Sequence, residues 1–387
     1  MEINKNTRIY VLKNKKSSFN ILSFIIFFGI GFVCAPVMDS ISADITNIVG
    51  EYGYFFLLLI FMAITFTSLL LQTILHEVGH LIFGLVTKYK LISFRIFSII
   101  WIKEDGKIKV KRVKVPGTAG QCLMVPPEMK YDEIPHVLYN LGGVIINLIT
   151  SAVGLIVFCL TDHINILHDF IYIFSVVGIG VALLNGLPML NGGIPNDGNN
   201  TLVMSKVTEA RKAFYITLKQ AEFKTKGIRS KYIPSEYFSM PSEENIKYPL
   251  ISALSVQLVD RIMDRGEYKN ASEIIEWILG SDIVLPNIYY STLKTDLLFC
   301  ELVGQNRVEQ VNMIYDKKLS IFIQRNGVSP MVLHTKYAFT VLCERDFVKA
   351  EKLKRTFLKL SRHYPYKCDI ESVLEKLALV DMIAGIA

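Results

Sequence analysis

Hydrophobic and polar positions are distributed unevenly along the chain. Four stretches are nearly free of charge: Phe19 to Val37, Tyr54 to Val86, Val137 to Leu160 and Phe170 to Leu190. Each reaches the ~18 to 20 residues with which an α-helix crosses ~30 Å of hydrocarbon. The pattern predicts four membrane helices. The first follows Lys13, Lys15 and Lys16 as a secretory signal would, but its length and the lack of a small-residue cleavage site favour a retained anchor. Between the second and third spans the period changes. Leu91 to Ile102 is β-branched and aromatic, Glu104-Asp105-Gly106 is a turn, and Lys107 to Val115 alternates basic and apolar side chains with one slip at Lys111-Arg112. A β-hairpin with a bulge at the slip is expected. Gly117 to Gln121 and Pro126-Pro127 then lead back to the membrane.

Beyond about Thr201 the pattern becomes amphipathic and mixed in charge, and no run is long enough to span a bilayer. Phe223 to Pro249, rich in proline, reads as an irregular connector. Three later segments resemble one another: Gly266 to Ala271, Gly304 to Glu309 and Arg345 to Ala350. Each is expected to open the second helix of a pair, at spacings of 38 and 41 residues (266 to 304, 304 to 345). This is close to a tetratricopeptide-like array with most signature positions missing, so an ordinary helical bundle and a peptide-binding solenoid both fit. The expected fold is mainly α, a polytopic membrane protein with a β-hairpin insertion and a cytoplasmic all-α domain. Its parts are an N-terminal arm, anchor and outer loop (1–53), a membrane core (54–204), a linker region (205–249) and a helical domain (250–387).

Composition agrees and adds an orientation. With 51% hydrophobic and only 20% charged residues, the chain is neither disordered nor fibrous. Lys and Arg gather in the N-terminal arm (Lys5, Arg8, Lys13, Lys15, Lys16) and between the second and third spans, whereas Asp39 to Gly53 and Thr161 to Asp169 contain none. Both termini are therefore expected in the cytoplasm, in a bacterial cell membrane, and this asymmetry accounts for the net charge of +7. No nucleic-acid motif accompanies the charge. Six cysteines at scattered spacings indicate neither a disulfide framework nor a cysteine metal site.

The chemistry is concentrated in the second span, at His76-Glu77-Val78-Gly79-His80. Histidines at i and i+4 on a helix face one way and can share a metal ion, with the glutamate beside it to take a proton from water. Ionisable groups inside an apolar helix are costly and mark function. Catalytic zinc takes three protein ligands, and the third is expected from the cytoplasmic end of the fourth span. Asp197 is the candidate there, although Asn196-Asp197-Gly198 is also a common turn sequence. The other histidines carry little weight. His136, just before the third span, is expected at the surface or interface.

These features resemble the site-2 protease family of intramembrane zinc metalloproteases. The resemblance consists of His76-Glu77-x-x-His80 in an apolar helix, Gly142, Gly143 and Asn147 in the next, and Asn185-x-x-Pro188 leading to Asp197-Gly198. It covers roughly Tyr54 to Asn200. It implies a three-helix catalytic core with Zn2+ on His76, His80 and Asp197 and Glu77 as general base. Asn147 and Asn185 would position substrate or stabilise the oxyanion. The chain departs from the family pattern in the longer stretch, around Asn191 to Ile194, before Asp197.

The expected function is hydrolysis of a peptide bond in or near the membrane segment of a membrane-anchored regulator or signal peptide. The hairpin would clamp extended substrate by strand addition, or only cover the lipid surface. The helical domain would bind a cytoplasmic peptide or protein. Two alternatives are a catalytically inactive membrane peptide-binding or immunity protein on the same fold, supported by the altered spacing, and a metal transporter.

Overall fold

The computed structural model describes residues 23–26, 28–34, 53–104, 106–113, 118–161, 166–242, 244–281, 285–327 and 329–386. The N-terminal arm, the ends of the first predicted span, the loop from Asp39 to Tyr52, Asp105, Gly117, Asp162 and His163 lie outside the described residues. The fold is mainly helical, and the chain divides into two compact units.

The first unit falls within Lys13–Phe97 and Val115–Arg211. Three of its helices are long and apolar enough to cross a membrane: α1 (Gly53–Val86), α2 (His136–Leu160) and α3 (Ile166–Gly186). They match the second to fourth predicted spans. From the first predicted span, a shorter apolar helix, Ser23–Cys34, is described. Its Cys34 joins a cluster with Leu57 and Ile64 of α1 and Ile173 and Val177 of α3. Outward positions such as Phe66, Val153 and Ile156 are exposed, unlike the polar outer face of a helix in water.

Small residues set the helix separations. A Cβ on Gly142 would lie 2.9 Å from the carbonyl carbon of Gly79, and one on Gly79 would lie 2.8 Å from Cα of Gly143. Backbones this close require glycine on both helices, the small-residue contact by which apolar helices associate without a hydrophobic driving force.

Four strands follow α1: β1 (Lys90–Ile96), β2 (Ile99–Glu104), β3 (Lys107–Arg112) and β4 (Gly120–Val125). In the first unit, β1 pairs antiparallel with β4, Phe94 opposite Cys122, with a register irregularity between Leu91 and Ser93. Two expectations are corrected here. The predicted strand from Leu91 to Ile102 is two strands, because Phe97 turns into the left-handed region at φ 51° and donates its N–H to Ala119 O. Its β-branched and aromatic composition runs on through that turn and hides it. The segment read as a return to the membrane thus contains β4.

The second unit takes in Ser98–Lys114 and Lys212–Ala387. There β2 and β3 pair without interruption from Glu104 opposite Lys107 to Ile99 opposite Arg112, so the slip at Lys111-Arg112 is not a bulge. Lys111 lies across from buried Ile100, and its amine bonds Glu104 and Pro365 O. A lysine stem can occupy an apolar face while its head finds polar partners, which breaks the alternation in sequence without breaking the register.

After α4 (Asp197–Lys206) and α5 (Thr208–Thr225), the described residues of 226–248 include two short 3-10 turns and no α-helix or strand, as the connector reading expected from Phe223 onward. Arg229 ties them to Asp264 at 2.6 Å and to Glu375. Eight helices complete the unit: α6 (Pro249–Asp264), α7 (Tyr268–Gly280), α8 (Asn287–Val303), α9 (Val308–Ile314), α10 (Lys317–Asn326), α11 (Pro330–Leu342), α12 (Phe347–Ser361) and α13 (Lys367–Ala384). Their core includes Leu293, Leu298, Phe299, Leu333 and Val380. The three related segments fall at the turns into α7, α9 and α12, and each contains one left-handed residue: Gly266, Asn306 and Arg345. The short α9 and the additional α10 interrupt a regular array.

Candidate metal centre

Three side chains that the sequence singles out meet in the first unit. His76 and His80 project from one face of α1, with ring centroids 4.8 Å apart and planes nearly perpendicular. Asp197, the first residue of α4, reaches them from the end of α3. Asp197 Oδ2 lies 3.0 Å from His76 Nε2 and 3.5 Å from His80 Nε2, and the two Nε2 atoms are 3.1 Å apart. Tetrahedral coordination with bonds of ~2.0 to 2.1 Å places ligand atoms about 3.3 Å apart. The three atoms therefore fit around one metal ion.

The hydrogen bonds behind the rings settle what those atoms offer. His80 Nδ1 is 2.7 Å from the carbonyl oxygen of Tyr139, which can only accept. His76 Nδ1 is 2.7 Å from Asn147 Oδ1, and that amide is oriented because Nδ2 donates to Gln72 O at 2.9 Å and Gln72 Oε1 at 2.7 Å. Both imidazoles therefore carry a proton on Nδ1, and in the neutral ring Nε2 is left as an acceptor. Three converging acceptors repel one another unless a cation or an extra proton lies among them. Ligating histidines commonly donate their second N–H to a carbonyl, as both do here.

The longer stretch before Asp197 does not displace it. Leu190–Asn191 (β5) and Ile194–Pro195 (β6) pair as a minimal hairpin around Gly192 and Gly193, both left-handed at φ 58° and 88°. Gly-Gly is suited to the tight turn in which both central residues need positive φ. The hairpin closes on itself. Asn196 O δ1 accepts from Met189 N and from Asn199 N, both at 3.0 Å, and Asn196 N donates to Met189 O. Asn196 Nδ2 donates to Leu184 O and Leu187 O. One asparagine thus caps α4 and holds carbonyls in and just past the last turn of α3, and Asp197 follows it directly.

Glu77 is buried beside His76. The first residue of β4 lies on it: a Cβ on Gly120 would collide with Glu77 Oε1 and come within 2.7 Å of Cδ. That strand end is held by Arg95, itself 1% exposed, which donates to Phe97 O at 2.6 Å and Gly120 O at 3.1 Å and also bonds Thr118. Of the remaining expected site residues, Asn147 is fully buried with its amide shared between His76 and Gln72. Asn185 donates to Val181 O of its own helix, and no hydrogen bond joins it to the cluster among the described residues. His136 is buried rather than superficial, 3.2 Å from Ser205 Oγ.

Sequence reasoning missed Gln72, Arg95, Tyr139 and Asn196. For Gln72 a signal existed, since Ser68, Gln72, His76 and His80 form a polar stripe at four-residue spacing on an apolar helix. Tyr139 contributes a backbone carbonyl, to which sequence is blind. No family model, curated protein or solved structure matches the chain.

Proposed function

We propose that the chain is a multi-pass membrane protein and a zinc-dependent endopeptidase. It would hydrolyse a peptide bond in or near the membrane segment of a membrane-anchored protein or signal peptide. The observation that carries the reading is the acceptor-only cluster of His76 Nε2, His80 Nε2 and Asp197 Oδ2, with Glu77 next to it. Three protein ligands leave a fourth position for water, the pattern of catalytic rather than structural zinc. The resemblance of His76-Glu77-x-x-His80, Asn185-x-x-Pro188 and Asp197-Gly198 to site-2 proteases supports the same reading. The hairpin at Gly192-Gly193, with Asp197 still beside both histidines, supports it as well.

Zinc bound there would lower the pKa of a water and polarise the substrate carbonyl. Glu77 accepts the proton of the attacking water and returns it to the leaving amine. His76 and His80 would each turn Nε2 to the metal, with Nδ1–H committed to a carbonyl-type acceptor. A helical peptide bond must be extended before attack, and β4, which pairs with β1 on one side and ends the sheet order on the other, brings Gly120 onto Glu77. Substrate laid beside β4 would present its carbonyl near the glutamate. By the distribution of Lys and Arg, the Asp197 end of the core faces the cytoplasm.

The test is zinc content per chain after detergent purification. The wild type should hold about one zinc, as one closed set of three ligands predicts, and Asp197→Asn should lose it. Glu77→Gln should keep zinc and lose cleavage of a quenched-fluorescence single-span peptide by at least about 10²-fold. A wild type without zinc in zinc-containing buffers would overturn the proposal. Cleavage unchanged in Glu77→Gln would overturn the catalytic part of it.

A further inference from the structure

We propose that Gln72 is a positioning residue of the metal centre: it fixes the amide of Asn147 and, through it, holds His76 in the tautomer and orientation that present Nε2 to the metal. The inference rests on the metallopeptidase reading only in needing a metal at this site.

The connection runs through all three long helices. On α3, the carbonyl oxygen of Phe174 accepts from Gln72 Nε2 at 3.1 Å. This bond decides which way the Gln72 amide faces, because a backbone carbonyl cannot donate. Gln72 Oε1 is thereby aimed at α2, where it accepts from Asn147 Nδ2 at 2.7 Å. The second hydrogen of Nδ2 goes to the backbone oxygen of Gln72 at 2.9 Å. With both donors of Asn147 engaged, Oδ1 is left to accept from His76 Nδ1 at 2.7 Å. Each amide in the series has one orientation that satisfies its neighbours, and reversing any of them sets like against like.

Gln72 and Asn147 are both 0% exposed, so water does not stand in for either amide. In such surroundings an unsatisfied amide is expensive, and one that is satisfied is held firmly. The fold also makes room for the glutamine. A Cβ on Gly178 of α3 would come within 2.6 Å of Gln72 Cδ, so the side chain reaches Phe174 O only because position 178 is glycine. Asn147 is consequently turned toward His76 rather than toward a substrate.

The experiment is a zinc competition titration against a chelator, on the full chain in detergent, for wild type, Gln72→Leu, Gln72→Glu and Ser68→Ala. Ser68 lies one turn earlier on the same helix face, is fully buried and has no hydrogen-bond partner among the described residues, so its loss should leave affinity unchanged. Removing the direct partner of a metal ligand costs about 10- to 100-fold in affinity, and Gln72→Leu, which leaves that partner in place but unfixed, should show a loss at the lower end, about 10-fold. Gln72→Glu keeps an acceptor for Asn147 and, when protonated, a donor for Phe174 O, so it should bind within a few-fold of wild type. A role in packing alone predicts the reverse order, since leucine suits an apolar interior better than glutamate. Should Gln72→Leu not fold, Gly178→Ala, read against Ser151→Ala because its added methyl group meets Ser151 Oγ as well as Gln72, should show the same weakening where Ser151→Ala does not. Wild-type affinity in Gln72→Leu (or in Gly178→Ala, if that is the variant read), or a weaker Gln72→Glu than Gln72→Leu, overturns the proposal while leaving the zinc reading intact. No zinc in the wild type overturns both.

Discussion

The site depends on atoms that are absent as much as on those present. Gly143 lies against the imidazole of His76, and a Cβ there would be 2.6 Å from both ring nitrogens. Either the ring gives way or α2 moves off α1, and the second course breaks the close backbone contact of Gly142 with Gly79. Gly143→Ala should therefore move the His76 ring and abolish stoichiometric zinc binding, read by metal analysis. Gly120→Ala crowds a different atom, Oε1 of Glu77, which is not in the ligand set. It should retain zinc and lower kcat/KM by about 10²-fold, the order expected when a catalytic group is misplaced by ~1 Å. Equal loss of zinc in the two variants would mean that the glycines serve general helix packing and not the placement of particular side chains.

Among the elements, the join between α3 and α4 carries the most specific demand. Leu190 and Pro195 are partners across the β5–β6 pair, so their Cα atoms are about 5 Å apart. Deleting Asn191 to Ile194 and joining them directly should leave zinc binding intact, because the Asn196 bonds that place Asp197 lie outside the hairpin. Asn196→Ala removes four side-chain hydrogen bonds, including the helix cap. A cap alone is worth about 1 kcal/mol, and the variant should bind zinc at least 10-fold more weakly. The same join shows what can be read without coordinates. Long charge-free runs fix α1, α2 and α3 to within a few residues because the pattern is local and redundant. His76 and His80 are legible because one helix sets their spacing. Asp197 could be nominated but not placed, since only the fold of Gly192-Gly193 decides whether the extra residues lengthen the path or loop out of it. The break at Phe97 was hidden because tertiary hydrogen bonds, not composition, end β1. Tyr139 O and Gly120 act through backbone position, which a sequence does not record.

Taken as a whole molecule, the chain has two units with different acid chemistry, and the helical unit supplies a test that needs no substrate. His334 is 2% exposed, 3.2 Å from Asp296 and edge-on to Phe299. Burial and the charge of Lys376 push its imidazole down, against an opposing pull from Asp296, so the folded state favours the neutral ring. On unfolding, the ring recovers an ordinary value of about 6.5 and binds a proton more readily than in the folded state. Stability should then fall as pH drops below that value, because the unfolded chain takes up more protons. Glu375 acts lower on the scale. Hydrogen bonds from Arg229, and from Lys231, outweigh its burial and hold it at about 2 against an ordinary 4.5. Its contribution is in place above 4.5 and is lost as pH falls from there toward 2, and it is modest because the side chain is more than half exposed. The thermal midpoint of the full chain in detergent, followed by Trp277 emission in a Trp101→Phe background, should decline in two windows. His334→Gln should flatten the decline between about pH 6.5 and 5, and Glu375→Gln should flatten the one below about 4.5. A midpoint constant from pH 7 to 5 in the parent protein would mean that His334 binds protons equally in both states, Asp296 offsetting burial and Lys376, and a midpoint rising toward pH 5 would mean a charged ring paired with Asp296 in the folded state.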